Sequence, residues 1–146
     1  VIGYRLSVIS CRLLVVCFNK KMIVMKSYED LDIYTISLAL FYEIHQSSLQ
    51  LPKHELYELG SQIRRSADSV NSNIVEGYGR KRYKADFIKF LVYSHSSCLE
   101  TKAHLFKIRH LYAGLVPDID RFITDYDVLG AKIYKFIHYV ESNWKT

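Results

Sequence analysis

The sequence predicts an all-α protein, an antiparallel up-down-up-down four-helix bundle. Apolar residues recur every three or four positions over four long stretches, the repeat of a helix with a buried face. Pro occurs only at 52 and 117, and Gly at six positions, too few for the many turns of a sandwich or barrel. The links between the stretches are short, and short links force neighbouring helices to run antiparallel. At 146 residues and 49% apolar composition, the chain is about one domain long and can fill a core.

Ser27 precedes the first stretch, with Asp30 three residues on as a weak capping box. Leu31, Tyr34, Leu38, Phe41 and His45 form one face, and Ile33, Ile36, Leu40 and Ile44 a second apolar stripe. Such a helix is expected to bury both stripes, one inside its bundle and one against something else. Leu51-Pro52 is read as opening the second helix, because proline suits a first helical position. Its core face is Leu56, Leu59, Ile63, Ala67, Val70 and Ile74, and Gly77 is its expected C-terminal cap. The third helix is expected over Tyr83 to Ala113, with Phe87, Leu91, Ser94, Cys98, Thr101, Leu105, Ile108 and Tyr112 as its seam. The small, polar centre of that seam, Ser94 to Thr101, allows close backbone approach. Pro117-Asp118 opens the fourth helix, whose seam runs from Ile119 through Phe122, Tyr126, Leu129, Ile133 and Phe136 to Val140.

Residues 1–24 do not match this pattern. Their longest apolar run, Leu13 to Phe18, is far shorter than the ~20 residues a membrane span needs. Met25 directly precedes a good helix start. Residues 1–24 are therefore read as an extension, upstream of the true start or dispensable, and 25–146 as the bundle domain. A short amphiphilic segment docked on the body is the open alternative. The net charge of +5 misleads, because Arg5, Arg12, Lys20 and Lys21 in the extension face no acid. The remaining 16 Lys and Arg residues face 15 acids. Three irregularly spaced cysteines, Cys11, Cys17 and Cys98, suggest a reduced, cytoplasmic setting and neither a disulfide framework nor a zinc site.

Any nucleic-acid argument must then rest on local clustering. The candidate contacts are Arg64, Arg80, Lys81, Arg82, Lys84 and Lys89, with Tyr78 and Tyr83 interleaved for base stacking. Adjacent helix residues point ~100° apart, so Arg64 and Arg65 cannot serve one face. One reading pairs an arginine with Glu100 or Asp68, and the other sets the pair on phosphates. Asn73 and Glu76, near the helix end, suit bonds to loop backbone or a neighbouring helix. Glu100 and His104 share a face at i+4, but no Glu-x-x-His occurs, so neither a metal nor a cofactor is expected. Gly77-Tyr78-Gly79 lacks the third glycine of a dinucleotide loop. No nucleophile, base and orienting group stand at readable spacing, so no catalytic residue is assigned and no enzymatic activity is expected.

The body, roughly Met25 to Val140, resembles the four-helix-bundle family named after proteins encoded in intervening sequences of bacterial 23S ribosomal RNA genes. The resemblance rests on Gln62-Ile63-Arg64-Arg65, Ser69, Asn73-Ile74, Glu76-Gly77 and Gly79-Arg80. Pro52-x-x-Glu55, Phe87, Phe90-Leu91, Ser97 and Leu99-Glu100 support it. Asn71 stands where the family often has proline, Val75 where it has alanine, and Ser96 where it has glycine. The resemblance implies a cytoplasmic bacterial protein forming a ring-like homo-oligomer, a pentamer, with no established enzymatic activity. Related proteins are accessory factors of diversity-generating retroelements and bind nucleic acid and a reverse transcriptase. Gln62, Arg65, Asn73, Glu76, Gly77 and Glu100 are read as the structural part of the motif. Two functions follow: an oligomer that binds RNA or DNA through the basic turn, or a structural, protein-interaction oligomer with no nucleic acid.

Overall fold

The four periodic stretches form four helices: α1 (Asp32–Ser48), α2 (Leu59–Gly79), α3 (Lys84–Leu111) and α4 (Ile119–Asn143). The structure, a computed structural model, describes residues 27–145. The expectations about residues 1–24 lie outside that range. Two single turns of 3-10 helix, Tyr28–Asp30 and Lys53–Leu56, precede α1 and α2.

Contacts between helices descend on one partner as they climb the other, so each neighbouring pair is antiparallel. Ser37 and Ser48 of α1 meet Asn71 and Arg64 of α2. Ser66, Ser69 and Val70 of α2 meet Thr101, Ser97 and Ser94 of α3. His95 and Arg109 of α3 meet Tyr134 and Asp120 of α4. Asp32 and Glu43 of α1 meet Lys132 and Arg121 of α4. The bundle therefore runs up-down-up-down, with α1 and α3 on opposite corners.

The expected seams of α2, α3 and α4 supply most of the core. Ile63, Ala67, Val70 and Ile74 are buried on α2, and Phe87, Leu91, Cys98, Leu105 and Ile108 on α3. Phe122, Tyr126, Leu129, Ile133 and Val140 are buried on α4. Each large apolar side chain buried this way contributes roughly 1.5–3 kcal/mol. On α1 only the stripe of Ile33, Leu40 and Ile44 is buried. Tyr34, Leu38 and Phe41 are half-buried and His45 is exposed, so that other α1 face lacks full cover among the described residues.

The small seam of α3 does what its composition suggested. Ser94 Oγ donates to the Val70 carbonyl at 2.8 Å, and Ser69 and Ser97 hydroxyls lie 2.8 Å apart. Thr101 Oγ1 lies 2.9 Å from Ser66 Oγ and 2.8 Å from the Ser97 carbonyl. Each buried hydroxyl of this seam finds a protein partner. Cys98 is buried too, with Sγ 3.2 Å from the Tyr126 carbonyl, and burial pushes its thiol up to about 12. It is an unreactive core residue.

Three local expectations are corrected. The Ser27–Asp30 capping box forms, but it caps the 3-10 turn, and α1 starts only after Leu31 turns extended (ψ 120). Pro52 does not open α2, because its ψ of 148 places it outside a helix. The 3-10 turn follows it, and the Glu55 carboxylate takes over as cap, accepting from the Leu59 N–H at 3.1 Å. Glu55 also accepts from the Tyr112 hydroxyl at 2.5 Å, tying the start of α2 to the end of α3. That bond, then the Leu59 bond, hold the Glu55 carboxyl below its ordinary range. Gly77 is no cap: α2 continues to Gly79, and Arg80 is the capping residue. Gly77 is needed for space, since a Cβ there would sit 3.0 Å from Phe90 Cβ. Among the described residues, the glycine with positive φ is Gly114 (φ 85), past the end of α3. Asn71 lies within the continuous α2 and donates to Ser37 Oγ at 2.9 Å and to the Tyr34 carbonyl.

Candidate nucleic-acid interface

The turn between α2 and α3 is short because α2 winds on to Gly79 and α3 begins at Lys84. Four of the six candidate cations, Arg80, Lys81, Arg82 and Lys84, therefore crowd one corner of the bundle. Lys89 follows one and a half turns along α3. Arg64 lies 16 residues before Arg80, about 24 Å away at the other end of α2.

Half of these cations have work inside the fold. Arg64 is committed to architecture: it donates to Ser48 Oγ at 2.9 Å and to the Leu56 carbonyl at 2.7 Å. This fork pins α2 to the end of α1 and to the 3-10 turn. Arg65, assigned the structural part, is exposed and has no ion pair among the described residues. Of the two, Arg64 is the one whose side chain bonds to the fold. Arg80 grips Glu76 through Nε at 3.0 Å and a terminal nitrogen at 2.6 Å, and lies 5.0 Å over the Phe90 ring. Lys84 donates to the Glu141 carbonyl at the end of α4. A cation at the start of α3 opposes that helix's dipole, but here it satisfies the C-terminal carbonyl of α4.

Lys81, Arg82 and Lys89 remain for a ligand. Lys81 Nζ lies 3.6 Å over the Tyr78 ring, a contact that leaves its charge unneutralised. Lys89 is exposed, 5.8 Å from the centre of the Tyr93 ring. Arg82 is exposed with no ion pair among the described residues. Tyr83 is 64% exposed and available to stack, whereas Tyr78 is buried at 7% and is not. The corner is held by the end of the chain: Trp144 Nε1 donates to the Lys81 carbonyl at 3.1 Å, and its ring packs edge-on against Phe87. Glu141 and Trp144 are positioning residues that no sequence signal marks. Their partners lie far off along the chain, outside the reach of any local repeat.

The remaining motif residues serve α2 itself. Asn73 donates to the Ser69 carbonyl at 2.7 Å and to Ser69 Oγ at 3.0 Å, not to a loop. Glu76 bonds Arg80 on its own helix. Gln62 is exposed. Glu100 pairs with neither arginine; its nearest ionisable contact is His104 Nε2 at 3.7 Å. The His104 ring is buried without a hydrogen-bond partner on either nitrogen, and burial lowers its pKa. Among the described residues, no three His, Cys, Asp or Glu side chains converge as a metal site. No described helix is long and apolar enough to cross a membrane.

A search among curated proteins finds no match. Residues 29–135, which contain all of the motif on α2, the basic corner and the small-residue seam of α3, match the family model described as 23S rRNA-intervening sequence protein. With more than half its length matched and a four-helix fold to accompany it, the chain belongs to the 23S rRNA-intervening sequence protein family.

Proposed function

We propose that the chain is a non-enzymatic, homo-oligomeric helical scaffold that contacts RNA or DNA phosphates through the α2–α3 corner. One observation carries this reading: Arg82 is exposed and unpaired among the described residues, beside exposed Tyr83 and un-neutralised Lys81. A guanidinium held on a rigid turn suits phosphate, and an adjacent free ring suits a stacked base. Assembly into a ring, such as the pentamer the family resemblance implies, would repeat the corner on every copy. Modest contacts would then add up to strong, salt-sensitive binding.

The test is a salt titration of binding to a structured RNA and to duplex DNA. Neutralising Lys81 and Arg82 should lower affinity for both and flatten the salt slope by roughly 0.7–0.9 for each phosphate left without its cation. Unchanged affinity and slope would remove the corner from the function. A second reading, a structural oligomer that engages only protein, is favoured by the commitment of Arg64, Arg80 and Lys84 to the fold. A reverse transcriptase partner falls under that reading. Recovery of a protein partner free of nucleic acid would select it.

A further inference from the structure

Among the described residues, the tyrosines most open to solvent are Tyr42, Tyr57, Tyr83, Tyr93 and Tyr134, and their surroundings differ. Tyr42 lies on α1, a helix with no Lys or Arg. Tyr57 stands between Glu55 and Glu58 in the chain, and Tyr134 meets the His138 ring edge-on at 4.5 Å. Tyr83 and Tyr93 lie among cations that hold no carboxylate. Arg82 adjoins Tyr83, and Lys89 Nζ is 5.8 Å from the centre of the Tyr93 ring.

The fold also holds this patch in place. Phe90 is seated on Gly77 of α2, whose missing side chain makes room for it. The Arg80 guanidinium lies 5.0 Å over the Phe90 ring, and Tyr93 meets that ring edge-on at 5.8 Å. Helical geometry sets Tyr83 and Tyr93 about 15 Å apart along α3 and about 80° apart around it, on the side that carries Phe90. At the stacked spacing of about 3.4 Å per nucleotide, that interval spans about four nucleotides. Asp86, in the first turn of α3, is outnumbered there by Lys81, Arg82 and Lys89.

We propose that the α2–α3 corner takes unpaired nucleotides in preference to a duplex. Tyr83 and Tyr93 each stack on a base, and Arg82 and Lys89 hold phosphates of the same strand. A ring can stack only on a base whose face is uncovered. Inside a duplex every base face is covered by its neighbours, so the two tyrosines have no partner and the phosphate contacts act alone. Every base has a π-face, so the preference is for strandedness and not for sequence. The inference deepens the nucleic-acid reading proposed above and rests on it.

The experiment measures binding of the full chain to labelled oligouridine, oligothymidine and a duplex of equal length, at one salt concentration, by fluorescence anisotropy. Both single strands should bind more tightly than the duplex, and the two arms show which sugar the surface prefers. Tyr83→Ala and Tyr93→Ala should each lower single-strand affinity by at least about fivefold and leave duplex affinity unchanged. Tyr83→Phe and Tyr93→Phe keep the ring and should keep the affinity, whereas Arg82→Gln should weaken all three complexes. Circular dichroism checks that each variant stays helical, and the preference of the unaltered chain needs no variant at all. Duplex binding as tight as single-strand binding, or full single-strand affinity in both Ala variants, would overturn the inference. The two failures are distinguishable. Absence of binding to all three probes, or binding indifferent to Lys81 and Arg82, defeats the nucleic-acid reading itself. Binding that needs those cations but ignores both tyrosines defeats only the preference for unpaired bases.

Discussion

Gly77→Ala and Gly79→Ala place the same methyl group two residues apart on one helix, and the structure gives them opposite signs. Both glycines are helical, so alanine should gain up to ~1 kcal/mol in helix propensity at either position, somewhat less at the helix end. At Gly79 nothing lies within 4 Å of the new Cβ, so that gain should survive. At Gly77 the Cβ would meet Phe90 Cβ at 3.0 Å, Phe87 Cδ2 at 3.3 Å and the Phe87 carbonyl oxygen at 3.4 Å. Carbon atoms prefer about 3.5–4.0 Å, so the overlap with Phe90 is about half an ångström. Phe90 Cβ is bonded to the backbone and cannot swing aside. The α3 helix must move, and overpacking of this kind costs roughly 1–3 kcal/mol. Subtracting the propensity gain leaves Gly77→Ala about 0–2 kcal/mol less stable than the parent and Gly79→Ala up to ~1 kcal/mol more stable. Urea unfolding followed by circular dichroism measures both midpoints. Equal midpoints for the two variants would refute the close approach of α2 and α3 at Gly77.

Two further outcomes follow from the same geometry. Arg64→Lys should lower stability by about 1–3 kcal/mol, because an ammonium cannot reproduce the fork to Ser48 and Leu56, yet it should leave the salt dependence of RNA binding unchanged; an altered slope with normal stability would return Arg64 to the ligand site. His104 should make the fold acid-sensitive: burial, then Lys107, lower its folded pKa, so the unfolded chain takes up the proton first. Its contribution is complete above the ordinary value near 6.5 and is lost as pH falls from there through the folded value. Urea midpoints of the parent should therefore fall more steeply than those of His104→Leu as the pH drops below about 6.5, and parallel curves would count against a neutral buried ring.

Much of this molecule was legible in its residue order. A helix reports itself through local spacing, so most of the buried faces of α2, α3 and α4 followed from the repeat alone, although Leu56, Tyr112 and Phe136 are only half-buried. The serine-rich centre of α3 also foretold close packing, since small side chains at seam positions leave few other arrangements. Helix starts were harder. Ser27 and Pro52 carry start signals, but a single 3-10 turn uses the same signals, and only the backbone angles at Leu31 and Pro52 separate the two.

The candidate site was legible only as a cluster of charge. Gln62 to Arg82 contains four arginines and Lys81, but nothing within that stretch says which cation is free. Arg64 is taken by Ser48 and Leu56, Lys84 by Glu141, and the Lys81 carbonyl by Trp144, 63 residues away. Those assignments arise because antiparallel helices bring chain ends and distant turns to one corner. Residue order determined the four helices and their buried stripes, because helical periodicity needs only neighbours three and four apart. Tertiary structure alone decided that Gly77 makes room rather than ends a helix, and that Arg64 builds while Arg65 is exposed. Each of those depends on which atoms from elsewhere in the chain arrive within a few ångströms.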